Sequence, residues 1–300
     1  MHLIDLFLNW LSEEGKDSKT ITAYKTSVSQ FLTWYFETFG NEELSQVKPI
    51  DIKEFISYLK HIKNRKQTTI NKSIASLKTF FSYLVEYNYV HDNPMIRIKI
   101  QKVQSTDKLK ETMKWLSKEE QDRFTSYVDL EKNANKRLRN LAIIDLMLFA
   151  GLRVSEVVNL KIDDVRINGN IDVTIREGKQ GKYATVTLVN KYSKNLRQWL
   201  KYRQTLNAEI HAESPYLFVS ERTGQLGARG IQVMLDKYSK LARMENITPH
   251  RLRHSYCKNL ANSGASIEVI RRLARHESIQ TTAIYIDPSH QEQLKALESM

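Results

Sequence analysis

Thr248-Pro249-His250-Arg251-Leu252-Arg253-His254 is the stretch on which the reading of this 300-residue sequence turns. Downstream come Ala274-Arg275-His276 and then Tyr285; upstream lies Ala150-Gly151-Leu152-Arg153-Val154-Ser155-Glu156. Three positions apart on a helix, His250 and Arg253 share a face. Two arginines, two histidines and a late tyrosine suggest chemistry on a phosphodiester, done without a metal. Such an ester gains negative charge in its transition state. A guanidinium binds its non-bridging oxygens best, because the rigid fork pairs with two oxygens and stays charged at any working pH. Arg153 and Arg253 could clamp the phosphate from two sides, and fixed charges of this kind are often the largest catalytic contribution. Tyr285 could attack phosphorus and hold the strand as a phosphotyrosine ester, conserving the bond energy so that rejoining needs no ATP. A free tyrosine has a pKa of about 10 and needs a base or positive surroundings to act. His250 is a candidate base. The leaving 5′ oxygen needs a proton donor, a role that suits a lysine on a mobile loop.

Each residue has an ordinary reading too. Tyr285 is one of 14 tyrosines, most of which pack half-buried. Arg153 could simply carry charge on a helix, and His276 could be a helix-end histidine. The joint occurrence of five such residues in one order outweighs these separate readings.

That order and its local neighbours resemble the tyrosine recombinases, also called the phage-integrase family. In that resemblance Gly151-Leu152-Arg153-Val154-Ser155-Glu156 is the first-arginine box, with Arg153 on the scissile phosphate and Glu156 orienting its neighbours. Thr248 to His254 is the second box, supplying His250 and Arg253. Leu273-Ala274-Arg275-His276, Ser278 to Thr282 and Tyr285 form the third, with His276 as a phosphate ligand and Tyr285 as nucleophile. The family's general acid is a lysine on a β-hairpin. Ile171 to Ile175 and Ala184 to Val189 are rich in β-branched residues and flank a glycine-containing turn, Arg176 to Lys182. Lys179, directly after Gly178, is the better match, and Lys182 is the alternative or a DNA contact. Two departures stand out. Arg275 replaces a usual glycine, adding a cation that could touch the DNA backbone or only alter the turn. Ser255-Tyr256-Cys257 also follows His254 in an unusual order.

The remaining chain accommodates this chemistry. It is long enough for two domains with real cores. The net charge of +12 agrees with a polyanion partner. Cys257 is the single cysteine, which excludes an intramolecular disulfide and suits a reducing compartment, the bacterial cytoplasm. No zinc-type spacing, carboxylate cluster for Mg²⁺, signal peptide or apolar run of ~18 residues is present, so no metal, cofactor or membrane is expected.

The expected fold is mainly α. Residues 1–93 read as a four-helix bundle, and the resemblance makes this the SAM-like core-binding domain. Residues 94–114 read as a basic interdomain linker. Residues 115–287 form a mixed, mostly helical catalytic domain with a small β-hairpin or sheet. Residues 288–300 form a tail helix, a possible subunit contact. Between Phe55 and Val85 no acidic residue occurs, while Lys60, Lys63, Arg65, Lys66, Lys72 and Lys78 do. Phosphate contact is the favoured reading of that one-signed run. A helix from Arg229 to Leu241 could enter the major groove, with Arg229 as a DNA contact.

The resemblance implies site-specific recombination. Strands are cleaved through a 3′-phosphotyrosine, exchanged and religated via a Holliday junction, to integrate, excise or resolve a mobile element, plasmid or chromosome multimer. It implies double-stranded DNA with inverted half-sites, a homodimer on each site and a homotetramer in synapsis, with a related or accessory protein as an option. Two alternatives stay open: relaxation in the manner of a type IB topoisomerase, and a non-catalytic sequence-specific DNA-binding regulator.

Overall fold

Local signals open and close the first helices. Asp17 accepts the backbone N–H groups of Lys19 and Thr20, each at 3.0 Å, and starts the second helix. Gly40, at φ 64°, ends it in the left-handed conformation that glycine adopts without penalty. Pro49 occupies the first position of the third helix, where its missing N–H costs nothing, and Asp51 reaches back to the Lys48 amide at 2.8 Å. The computed structural model describes residues 2–40, 43–101, 115–176 and 183–286. The chain divides into two units, Met1–Lys110 and Glu111–Met300.

In the first unit, α1 (His2–Glu13), α2 (Ser18–Phe39), α3 (Pro49–Ser57) and α4 (Gln67–Glu86) bury one face each. α3 continues as a single π-helical turn, Tyr58–Ile62. Phe7, Phe31, Phe55, Phe80 and Phe81 are fully buried. Phe31 meets Phe55 edge-on at 5.2 Å, and Phe7 meets Phe80 at 5.1 Å, the arrangement ring quadrupoles favour. These stripes make the core of the bundle. Lys60, Lys63, Arg65, Lys66 and Lys72 are exposed around the π turn and the start of α4, and Lys78 is half-buried.

The second unit opens with α5 (Lys118–Asp129). Ser117 accepts the Glu120 amide at 3.2 Å while Glu120 accepts the Ser117 amide at 2.8 Å, a reciprocal cap. α6 (Ala134–Phe149) is buried from Asn140 to Leu148 and packs on α8 (Lys194–Arg203) and α11 (Pro249–Asn262). Between α6 and α8 lie α7 (Val154–Asn159) and a three-stranded antiparallel sheet in the order β1 (Val165–Asn168), β2 (Asn170–Ile175), β3 (Ala184–Leu188). Ile171 pairs with Leu188 and Val173 with Val186, so their apolar side chains share one buried face. Arg176, at the end of β2, is tied to the buried Asp164. The hairpin read from the sequence is thus β2 and β3, widened by β1 to a sheet. Lys179 and Lys182 lie outside the described residues, as do most of the linker and residues 288–300.

The later helices are α9 (Glu209–Ala212), α10 (Ala228–Leu241), α12 (Ile267–Ala274) and α13 (Ile279–Ala283). Tyr216 to Val219 forms one isolated bridge, Tyr216 to Lys161, while Leu217, Phe218 and Val219 are buried. Among the described residues no helix is long and apolar enough to cross a membrane.

One buried carboxyl in α6 should govern the pH dependence of this unit. Asp145 is 6% exposed and accepts from the Asn195 side-chain amide at 2.8 Å. Burial raises its pKa to about 7. The folded chain therefore holds a proton that the unfolded chain releases near the ordinary value of 3.8. Its stabilising contribution is full below that value and is lost as pH rises through 7. Asp145→Asn should raise stability at pH 8, by about 4 kcal/mol at most, and flatten the profile between these values. Urea titrations at pH 5 and pH 8 test this; an equal effect of the substitution at both would refute it.

Candidate active site

The site begins at the turn after α6. Gly151 has φ 63°, and a Cβ there would sit 2.4 Å from the Tyr256 ring, so the turn requires glycine on two counts. The turn closes on α6 through the Leu152 amide and the Leu146 carbonyl at 3.1 Å. Leu152 enters the core, and Arg153 is left capping α7. Glu156, in the first turn of α7, accepts the Arg153 amide at 2.6 Å and the Arg153 Nη1 at 2.8 Å. A carboxylate is favoured there by the exposed N–H groups of the helix start.

α11 and α12 bring two further guanidiniums to this place. Arg253 is 5% exposed and donates to the carbonyls of Gly151 and Ala274. Arg153 Nη2 donates to the Arg275 carbonyl at 2.9 Å. Arg275 Nη2 donates to Glu156 Oε2 at 2.6 Å. Burial, then the neighbouring Arg153 and Arg275, lowers the Arg253 pKa to about 10, which leaves it charged at neutral pH. Glu156 meets opposing influences. Burial pushes its pKa up, but the charge of Arg275 and the bonds from Arg153 hold it below the ordinary value, so it is a carboxylate.

Arg275 ends α12 with φ 53° and ψ 47°. This left-handed conformation costs a non-glycine residue about 1–2 kcal/mol, which gives a physical reason for glycine being usual there. The turn presents His276, whose Nδ1 lies 2.9 Å from the Thr282 hydroxyl. Burial, then Arg253 and Arg153, lowers the His276 pKa to about 4, so its imidazole is neutral at pH 7.

Tyr285 follows α13 and is 1% exposed. Its ring lies between Trp115 at 6.3 Å, His254 at 5.6 Å and His276 at 6.2 Å. Its hydroxyl pairs with His254 Nδ1, and its carbonyl accepts Lys258 Nζ at 3.2 Å. Burial raises its pKa, the Cys257 thiol adds to this, and Arg253 pulls the other way without overcoming it. The hydroxyl is therefore protonated in this pocket.

The structure thus places Arg153, Glu156, Arg253, Arg275, His276 and Tyr285 in one connected group. His250 is exposed in the first turn of α11, and the hydroxyl of Tyr285 meets His254 instead. Nothing in the sequence pattern marks His254 out, although it stands in the same box, four positions after His250 on the same helix. Trp115 carries no sequence signal for its place beside the tyrosine ring either. Cys257 is buried beside the tyrosine hydroxyl. Arg229 is exposed at the start of α10.

Comparison with known proteins gives a consistent picture. Residues 114–292 match the phage integrase family, and residues 4–88 match the phage integrase N-terminal SAM-like domain. The TnP I resolvase of Bacillus thuringiensis is 32% identical over 295 residues, which cover 98% of each chain. The tyrosine recombinase XerC of Thermodesulfovibrio yellowstonii is 30% identical over 291 residues, covering 95% of this chain and 91% of the relative. Among solved structures, the Tn1549 transposon integrase in complex with circular intermediate DNA aligns with a TM-score of 0.72. It is 21% identical and covers 98% of both chains. XerH bound to palindromic difH in a post-cleavage complex gives 0.73 at 22% identity, over 92% of this chain and 78% of that one.

Proposed function

This chain belongs to the phage integrase family, and from that premise we propose that Tyr285 is the nucleophile with which it performs site-specific DNA recombination. The tyrosine oxygen attacks the scissile phosphorus, the bond from phosphorus to the 5′ oxygen breaks, and the strand is held as a 3′-phosphotyrosine. Arg153 and Arg253 bind the non-bridging oxygens, and neutral His276 donates a hydrogen bond to one of them. Lys179, with Lys182 as the alternative, protonates the leaving 5′ oxygen. The freed 5′ hydroxyl of one duplex then attacks the phosphotyrosine of the other. This passes through a Holliday junction and regenerates the tyrosine without ATP.

The observation that carries this reading is the convergence of Arg153, Arg253, His276 and Tyr285, from α7, α11 and the ends of α12 and α13. A DNA-binding regulator has no use for a tyrosine set beside Arg253 and His276. The buried Tyr285 is then a resting position. His254 holds the hydroxyl until bound DNA draws the tyrosine toward the phosphate, where the exposed His250 is open to accept its proton.

Double-stranded DNA with inverted half-sites is the proposed partner, bound by a dimer at each site and by a tetramer in synapsis, in the bacterial cytoplasm. The basic residues from Lys60 to Lys78, with Arg229, supply phosphate contacts that position the protein without reading sequence. The TnP I resolvase and XerC tyrosine recombinase relatives support recombination, with resolution, integration or excision as the proposed biological outcome.

A supercoiled plasmid carrying two copies of the inverted repeats that flank the gene tests this, incubated without Mg²⁺. Recombinant circles are the expected product. Relaxed topoisomers alone would instead support the topoisomerase reading. An intact plasmid, with the protein bound at the repeats, would support the regulator reading.

A further inference from the structure

Arg275 does something that its turn does not need. Its backbone is left-handed, at φ 53°, where glycine is at ease and arginine is not. Its side chain does not extend into solvent to offset that strain. It folds inward, with 17% of its side chain exposed, and places Nη2 2.6 Å from Glu156 Oε2 and 3.4 Å from the Gly151 carbonyl. Its Nε and Nη1 are buried and find no hydrogen-bond partner among the described residues. A guanidinium held this way is expensive, because unused buried donors lose their water. Stability alone gives no reason for it.

The electrostatics of the neighbours give one. Glu156 is 8% exposed and bonds Arg153 through both its oxygens. An arginine matched one-to-one with a carboxylate presents little net charge to a phosphate, and the carboxylate itself repels the anion. Arg275 changes this balance. Its charge is the largest influence holding Glu156 ionised against burial, ahead of each bond from Arg153. Its carbonyl accepts the Arg153 Nη2 at 2.9 Å, fixing the fork from the other side.

We propose that Arg275 is a positioning residue for strand cleavage: its side chain takes up the charge of Glu156, so that Arg153 meets the scissile phosphate with its own charge uncompensated. This rests on the recombinase reading above. It also separates two contributions of one residue. The carbonyl would survive replacement by glycine, and the guanidinium would not.

The test is single-turnover cleavage of a nicked suicide duplex carrying the flanking inverted repeats, with saturating full-length protein, alongside DNA affinity and thermal unfolding. The set is wild type, Arg275→Gly, Glu156→Gln and the double variant. Arg275→Gly is expected to keep its melting temperature and bind DNA within a few-fold of wild type. It should form the covalent adduct roughly 100-fold more slowly, the scale of one electrostatic contact to a transition state. In the Glu156→Gln background the same change should cost less than about 3-fold, since no carboxylate remains to be neutralised.

Arg275→Gln keeps a polar side chain that can donate hydrogen bonds but not the charge. It should slow cleavage like glycine and covers the case of a glycine variant that melts early. Equal losses in both backgrounds would assign Arg275 a merely structural role and overturn the proposal. So would wild-type rates in both Arg275→Gly and Arg275→Gln. If wild-type protein itself yields no adduct, the recombinase reading fails and takes this proposal with it.

Discussion

Tyr285→Phe abolishes the covalent protein–DNA complex and leaves DNA binding intact. Phenylalanine fits the same pocket, because the Tyr285 ring is already buried against Trp115, His254 and His276. What is lost is the hydroxyl and its pairing with His254 Nδ1. The stability cost should be about 1 kcal/mol, typical of one hydrogen bond. The chemical cost is of another order. Of the two other hydroxyl-bearing residues on this part of α11, Ser255 bonds the Leu116 amide and the Arg251 carbonyl through Oγ, and Tyr256 has its ring held under the Gly151 turn. Cleavage should fall on the order of 10⁴-fold or more, as when a nucleophile is removed outright. A denaturing gel of suicide-substrate reactions reads the adduct directly. An adduct that persists in the phenylalanine variant would place the nucleophile elsewhere.

Arg253→Ala should be the most damaging single change to the site, because Arg253 serves folding and chemistry together. It is 5% exposed and bridges the Gly151 carbonyl at the end of α6 to the Ala274 carbonyl at the end of α12. Truncation strands the Ala274 carbonyl in the interior and leaves the Gly151 carbonyl with only the long 3.4 Å contact from Arg275. A loss of about 3–5 kcal/mol is expected, read by urea denaturation. Cleavage by the folded fraction should fall a further 10²–10³-fold, roughly the value of one fixed donor to the transition state. Arg253→Lys separates the two effects. It keeps the charge but not the fork that spans two carbonyls, so DNA affinity should hold within a few-fold while cleavage stays impaired. If the lysine variant cleaves at the wild-type rate, bidentate geometry at this position is unimportant.

Much of this architecture was legible in the sequence where the determinants are local. Gly40 closes α2, Pro49 opens α3 and the Ser117–Glu120 pair caps α5, each as its chemistry requires. The β-branched runs around Gly178 pair as a hairpin. β1 escaped notice because Val165-Arg166-Ile167-Asn168 is too short to show a period. It is a strand only because β2 offers it an edge. Tyr216 to Val219 show the converse: these apolar residues are drawn into the core of the second unit, and the bridge from Tyr216 to Lys161 is their one β-pairing among the described residues.

For the site, residue types and spacing named Arg153, Arg253, His276 and Tyr285 because phosphodiester chemistry demands them. Their present environments depend on tertiary contacts that no local pattern encodes. The burial of Tyr285, its contact with His254 and the inward turn of Arg275 all arise where α7, α11 and α12 meet. Identity was legible; the direction each side chain takes was not.

The acceptors that hold Arg153 and Arg253 carry a consequence for how such a protein diverges. Apart from Glu156, they are the main-chain oxygens of Gly151, Ala274 and Arg275. A peptide oxygen is present whatever side chain the codon specifies. The side chains at these positions are tied down for other reasons, Gly151 by the Tyr256 ring, Ala274 by its burial and Arg275 by its pairing with Glu156, but the anchoring oxygen itself survives a change at any of them. Insertions or deletions at the ends of α6 and α12 would shift those oxygens and should inactivate the protein far more readily than point changes do. A lineage of such proteins can diversify its surface and its DNA preference while the clamp stays in register.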